Sequence, residues 1–105
     1  MTTLDALSDP TRRRIVETLA RGPLPSGEIA RQFEISAPAI SQHLKTLRSA
    51  GLVRVRPEAQ RRIYELDREG VEELAAWVEE LRRFWSDRLD ALETVLKADS
   101  EKANE

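Results

Sequence analysis

The last third of the chain repeats apolar residues at helical spacing: Val71, Leu74, Val78, Leu81, Trp85, Leu89, Leu92 and Leu96 recur every three or four positions. Such a stripe predicts one long helix, capped by Asp67 and running to about Lys97. About thirty helical residues extend roughly 45 Å, at about 1.5 Å per residue. The chain has only 105 residues, enough for one small domain that is narrower than this helix is long. The helix therefore either breaks near Ser86-Asp87 or lies against a second copy. Trp77, Phe84 and Trp85 favour the second copy, because a small monomer offers little to bury them. The expected pairing set is Leu4, Leu7, Val71, Leu74, Trp77, Val78, Leu81 and Trp85. A small apolar effector lodged beside Trp77 or Trp85 is the alternative use of these aromatics, and the sequence supplies no polar anchor for one.

The formal charge of -2 argues at first against a nucleic-acid partner, whose phosphates call for Lys and Arg. Counting by segment reverses that reading. Residues 11–68 carry twelve basic side chains against six acidic ones, a net +6. Residues 69–105 carry five basic and eleven acidic, a net -6. A basic middle hidden by an acidic end is a usable anion footprint.

That basic middle has a readable order of elements. Ser8-Asp9-Pro10 starts a helix with Ile15, Val16 and Leu19 on one face, ended by Gly22-Pro23. Leu4 and Leu7 suggest a short helix before it. A further short helix begins at Ser26, with Ile29, Ala30 and Phe33 inward, and turns at Glu34-Ile35. Ser36 caps the next, where Pro38 occupies the first turn and Ile40, Leu44 and Leu47 share a face before Gly51 ends it. Two short helices joined by so tight a turn form a helix-turn-helix unit. Leu52 to Arg56 and Arg61 to Leu66 then read as a hairpin around Pro57-Glu58-Ala59-Gln60. The expected fold is mainly α with one β-hairpin: a single domain over 1–97, with its body at about 9–66, terminal helices at about 1–8 and 67–97, and a frayed polar tail at 98–105.

Composition removes several function classes. There is no cysteine, which excludes thiolate metal sites, disulfides and cysteine nucleophiles. His43, the sole histidine, has no second ligand to complete a metal set, so a packing or surface role is expected. Glu72-Glu73 and Glu79-Glu80 are adjacent rather than convergent, and an acidic helix face explains them better than acid-base chemistry. No phosphate-cradling glycine loop or nucleophile elbow is present. No enzyme activity and no cofactor are expected. The N-terminus lacks a signal-peptide pattern and no apolar run is long enough to span a bilayer, so a cytoplasmic protein without membrane contacts is expected.

The runs Leu7-Ser8-Asp9-Pro10-Thr11-Arg12-Arg13-Arg14-Ile15 and Ile35-Ser36-Ala37-Pro38-Ala39-Ile40-Ser41-Gln42-His43-Leu44-Lys45-Thr46-Leu47-Arg48-Ser49-Ala50-Gly51-Leu52-Val53 resemble the ArsR-type (arsenic-repressor-like) regulators. The resemblance covers about residues 4–97. It implies a dimeric winged helix-turn-helix that binds operator DNA, usually as a repressor. Metal-sensing members place cysteines in the helix before the recognition helix, or His and acidic residues in the last helix. Here residues 24–33 hold no cysteine and the last helix no histidine, so sensing through those sites is not expected. The effector, if any, is left open.

If the third helix of the body lies in a major groove, Ser36, Ala37, Pro38, Ser41, Gln42 and Lys45 face the duplex. Gln42 suits an adenine edge, Ser41 is a tolerant partner, and Pro38 or Ala39 suits a thymine methyl. Lys45 and Arg48 suit phosphates. Arg54, Arg56, Arg61 and Arg62 fit a wing reaching phosphates or a minor groove. A solvated helix face and a charged strand edge are the simpler readings of the same residues. Arg12 and Arg13 can equally pair with Asp9 or Glu17 along one helix. The competing function is a dimerising interaction module that holds a protein partner and does not bind specific DNA.

Overall fold

Asp9, Ser36 and Asp67 each start a helix, and the computed structural model, which describes residues 2–103, shows how. Asp9 accepts hydrogen bonds from the Thr11 and Arg12 amides at 2.8 and 3.2 Å, and Pro10 opens helix α2 (Pro10–Leu19). Ser36 Oγ accepts from the Ala39 amide at 3.2 Å and opens α4 (Ala37–Ser49). Asp67 Oδ1 accepts from the Glu69 amide at 3.2 Å ahead of α5 (Arg68–Ala103). In each case a short side chain satisfies amides that the first helical turn leaves without a partner. Before α2, a four-residue helix, α1 (Thr3–Ala6), is closed by a capping box between Thr2 and Asp5. Between α2 and α4 lies α3 (Ser26–Phe33).

The sheet has three strands, one more than the sequence suggests. The first, β1 (Leu24–Pro25), pairs with the central strand, Leu24 opposite Tyr64 and Pro25 opposite Ile63. The hairpin strands are β2 (Val53–Glu58) and β3 (Arg61–Leu66), giving the order β1-β3-β2. The predicted four-residue loop 57–60 is therefore too long. Pro57 pairs with Arg62 and Glu58 with Arg61, leaving only Ala59 and Gln60 as the turn. Pro57 is tolerated because β2 is an edge strand, where a missing amide breaks no central ladder. Ala59 takes φ +55°, a conformation in which glycine is unstrained.

The core comprises Ala6, Ile15, Leu19, Ile29, Ile40, Leu44, Leu47, Leu52, Val53, Ile63 and Tyr64. It draws on α1, α2, α3, α4 and the sheet. The turn after α4 is held by Gly51 at φ +77° and by Leu52, whose carbonyl accepts from the Asp67 amide at 2.8 Å. Gly70, in the first turn of α5, sits against that turn so closely that a Cβ there would lie 1.8 Å from the Gly51 carbonyl oxygen. Only glycine fits at position 70 without moving backbone.

Helix α5 does not break at Ser86-Asp87 and does not end near Lys97; it continues to Ala103. Ala98, Glu101 and Lys102 are good helix formers, no Gly or Pro interrupts them, and Lys97 pairs with Glu93 at 3.4 Å. Residues 104 and 105 of the expected frayed tail lie outside the described residues. The chain clusters into two compact units, Met1–Glu73 and Leu74–Glu105. In the second, Trp77, Val78, Leu81, Phe84, Trp85, Leu89, Leu92, Val95 and Leu96 are exposed. In the first, Leu4 is exposed, while Leu7 and Val71 are half-buried, as is Leu74 at the start of the second. Among the described residues no helix is long and apolar enough to cross a membrane.

Candidate nucleic-acid interface

Helices α3 and α4 are joined by Glu34, Ile35 and Ser36, and Glu34 makes the turn in a left-handed conformation at φ 54°. Beyond it α4 has two faces. Ile40, Leu44 and Leu47 are buried, and all three lie on the side that the 3.6-residue period dictates. Ser36, Ala37, Pro38, Ser41, Gln42, Lys45 and Arg48 are exposed on the other side, with Ala39 half-buried between. Lys45 and Arg48 share an open groove with Ser49, Val53, Arg54 and Val55, so the basic end of α4 adjoins the hairpin.

The four hairpin arginines are all exposed, but they are not equivalent. Arg54 Nε lies 2.9 Å from Glu65 Oε1, directly across the ladder, and Arg56 Nε lies 3.6 Å from the same oxygen. Arg56 also meets Glu58 at 3.4 Å. One carboxylate thus serves two guanidiniums. Arg61 and Arg62, beside the turn, have no salt-bridge partner among the described residues, nor do Lys45 and Arg48. Charge counting along the sequence misses this inequality, although Glu65 lies in the same basic segment; the signal is the register that sets Glu65 opposite Arg54. Arg61 and Arg62 also border a cleft with Gln60, with Ser26 and Gly27 at the start of α3, and with Arg31 in its last turn, which is paired with Glu28.

The triplet Arg12-Arg13-Arg14 is occupied inside the body. Arg12 Nε donates to the Ala6 carbonyl at 2.6 Å and Arg13 Nη1 to the Leu7 carbonyl at 3.1 Å, so both close the end of α1. The Arg14 guanidinium stands 5.0 Å over the Phe33 ring. Of the pairs considered from sequence, Arg12 with Asp9 forms at 3.9 Å. The Arg12 and Thr11 amides hold the Asp9 carboxyl below its ordinary pKa, the Arg12 amide contributing most and burial opposing. His43 is half-buried, and no group of three or more metal-ligating side chains is assembled among the described residues.

A helix-turn-helix domain family matches residues 7–56. The HTH-type transcriptional regulator Rv2034 of Mycobacterium tuberculosis is 48% identical over 96 residues, covering 91% of this chain and 87% of that one. The transcriptional repressor SdpR of Bacillus subtilis is 37% identical over 73 residues, covering 70% and 81%. Among solved structures, the homodimeric winged helix-turn-helix DNA-binding domain Mb0332 of Mycobacterium bovis, described as a possible ArsR-family regulator, superposes with a TM-score of 0.64 at 32% identity, covering 75% and 73%. Fold, motifs and relatives agree: the chain belongs to the ArsR-type winged helix-turn-helix family and is a DNA-binding regulator of transcription.

Proposed function

We propose that two copies of this chain pair through their terminal helices and repress transcription by occupying an imperfectly palindromic operator, one α4 helix in each half-site. The observation that carries this reading is the two-faced α4, apolar inward and polar to basic outward. A two-fold dimer calls for half-site centres about one helical turn, roughly 34 Å, apart. Gln42 offers the paired donor and acceptor that match an adenine edge, Ser41 a tolerant hydroxyl, and Pro38 or Ala39 an apolar contact for a thymine methyl. Ser36 and Ala37 start the helix at the groove. Lys45 and Arg48 hold phosphates, which fix register. Arg61 and Arg62 carry the wing's attraction for DNA, and Arg54 and Arg56, which share Glu65, contribute less. The repressor SdpR and the homodimeric Mb0332 domain support the sense of regulation and the pairing. The exposed stripe on α5 and Leu4 supports the same pairing. The absence of cysteine leaves the signal to something other than the family's thiolate metal sites.

Selection of operator fragments from genomic DNA, followed by gel-shift titration at several salt concentrations, tests the reading. A palindromic site whose affinity falls steeply with salt is expected, because phosphate contacts release counterions. A flat salt response, or no selected site, favours the protein-interaction module instead. Gln42→Ala should relax preference at one position by about 1–3 kcal/mol, whereas Arg62→Ala should weaken all duplexes about equally. Equal losses of specificity from both would overturn these roles.

A further inference from the structure

Arg12 is the most enclosed of the arginines that form ion pairs, with 18% of its side chain exposed. Its guanidinium touches three elements at once. Nε donates to the carbonyl of Ala6 at the end of α1, at 2.6 Å. Nη1 lies 3.9 Å from Asp9 Oδ2 at the start of α2 and 3.5 Å from His43 Nδ1 on α4. Arg12 and His43 are 31 residues apart, so no local pattern connects them.

The chemistry of the contact has one direction. A guanidinium carries donors and no acceptor, so the ring nitrogen facing it must accept, which places the imidazole proton of His43 on Nε2. Arg12 thereby selects both the tautomer and the orientation of the ring. Ile40, Leu44 and Leu47 bury one side of α4, but apolar packing is non-directional and tolerates small rotations of a helix about its axis. A polar contact at the rim of that face pins the rotation, and His43 directly follows Ser41 and Gln42. We propose that Arg12 is the positioning residue of the DNA-reading helix: acting through His43, it fixes the rotation of α4 and so the aim of Ser41 and Gln42. This rests on the operator-binding reading above. In this scheme Arg12 acts from within the body, its Nε held by the Ala6 carbonyl and its Nη1 facing Asp9 and His43.

Two independent arms test it on the full chain. His43 is the sole histidine, so its ring nitrogens give a single assignable pair of 15N NMR signals. The wild type should show an unprotonated Nδ1 and a protonated Nε2 at mildly alkaline pH, and Arg12→Ala should move those signals while Arg13→Ala leaves them in place. A ring protonated on Nδ1, or signals indifferent to Arg12→Ala, overturns the proposal. In the second arm, His43→Gln keeps an acceptor for Arg12 and His43→Leu removes it. His43→Leu and Arg12→Ala should each lose about tenfold in affinity for the selected operator with less than about twofold change on random duplex, while His43→Gln retains the discrimination. Equal loss on both duplexes, or Leu and Gln variants that behave alike, overturns it. If Arg12→Ala fails to fold, the His43 pair still decides. A wild type that selects no operator defeats the reading of the previous subsection but leaves the NMR arm to judge the Arg12–His43 contact.

Discussion

The body up to Glu73 and the stretch of α5 from Leu74 onward carry apolar residues in similar helical patterns, and the two meet opposite fates. Among the described residues, every buried apolar side chain, from Ala6 to Tyr64, lies in the body, whereas nine of the ten large exposed ones lie between Trp77 and Leu96. A helix stripe is buried only if another element faces it. In the body, helices and sheet face one another; along α5 the same spacing lies open at 59% exposure for Leu89 and 55% for Trp85. Leu74, Val78, Leu81 and Trp85 are spaced 4-3-4, and Trp85, Leu89, Leu92 and Leu96 repeat that spacing, an eleven-residue period. Eleven residues in three turns is about 3.67 per turn, close to the α-helix's own 3.6, so the stripe stays in line along a nearly straight helix. The charges are also unevenly spread. Residues 11–68 carry a net +6 and residues 69–105 a net -6.

One substitution made in both regions is the strongest way to break this comparison. Leu44 is fully buried, and Leu44→Ala should cost about 2–5 kcal/mol of stability through lost transfer energy and a residual cavity. Leu89→Ala should leave the stability of the isolated protomer within about 0.5 kcal/mol while weakening self-association. Urea unfolding at low and high protein concentration, with sedimentation to follow association, separates the two. Equal loss for both at low concentration would show that the stripe is packed within one chain.

A smaller effect comes from two glycines. Gly70→Ala drives a Cβ against the Gly51 carbonyl, backbone against backbone, and overpacking of this kind costs about 1–3 kcal/mol. Gly27, also helical, would meet nothing within 4 Å. Gly27→Ala should therefore be neutral or stabilising by up to about 1 kcal/mol, by lowering the entropy of the unfolded chain. Urea midpoints of the two variants check both. A neutral Gly70→Ala would mean that the first turn of α5 does not bear on the turn after α4.

Much of this architecture is legible because it is local. Caps at Asp9, Ser36 and Asp67, and the Ile40, Leu44, Leu47 spacing, act within a few residues, so the sequence contains the physics that forms these helices. The exposed face of α4 is legible for the same reason, being what remains once the inward positions are spent. Strand β1 is not, because a two-residue strand between Gly22-Pro23 and Ser26 has no periodicity and exists only through its pairing with Tyr64 and Ile63. The two-residue hairpin turn is not legible either, because the pairing of Pro57 with Arg62 and Glu58 with Arg61 depends on the edge position of β2, where a proline is harmless. The sharing of Glu65 by Arg54 and Arg56, and the reach of Arg12 to His43, depend on register and tertiary approach, which composition does not encode.

The smallest expected effect concerns acid, and it separates the regions once more. Asp9 is held below its ordinary pKa by the Arg12 and Thr11 amides, so its carboxylate stabilises the folded body. A depressed folded pKa means that this contribution is complete above the unfolded value near 3.8 and is lost as pH falls through the folded one. Stability should therefore decline below about pH 4. Asp9→Asn, which keeps an acceptor for the cap but no charge, should flatten that part of the curve. Glu79 on α5 is also held low, by Arg82 first and Arg83 second, but that cluster stands in open solvent, where salt screens it. Unfolding curves across the acid range, with and without added salt, should show the Asp9 difference persisting and any Glu79→Gln difference vanishing. The reverse result would make α5, rather than the body, the region whose charges matter to folding.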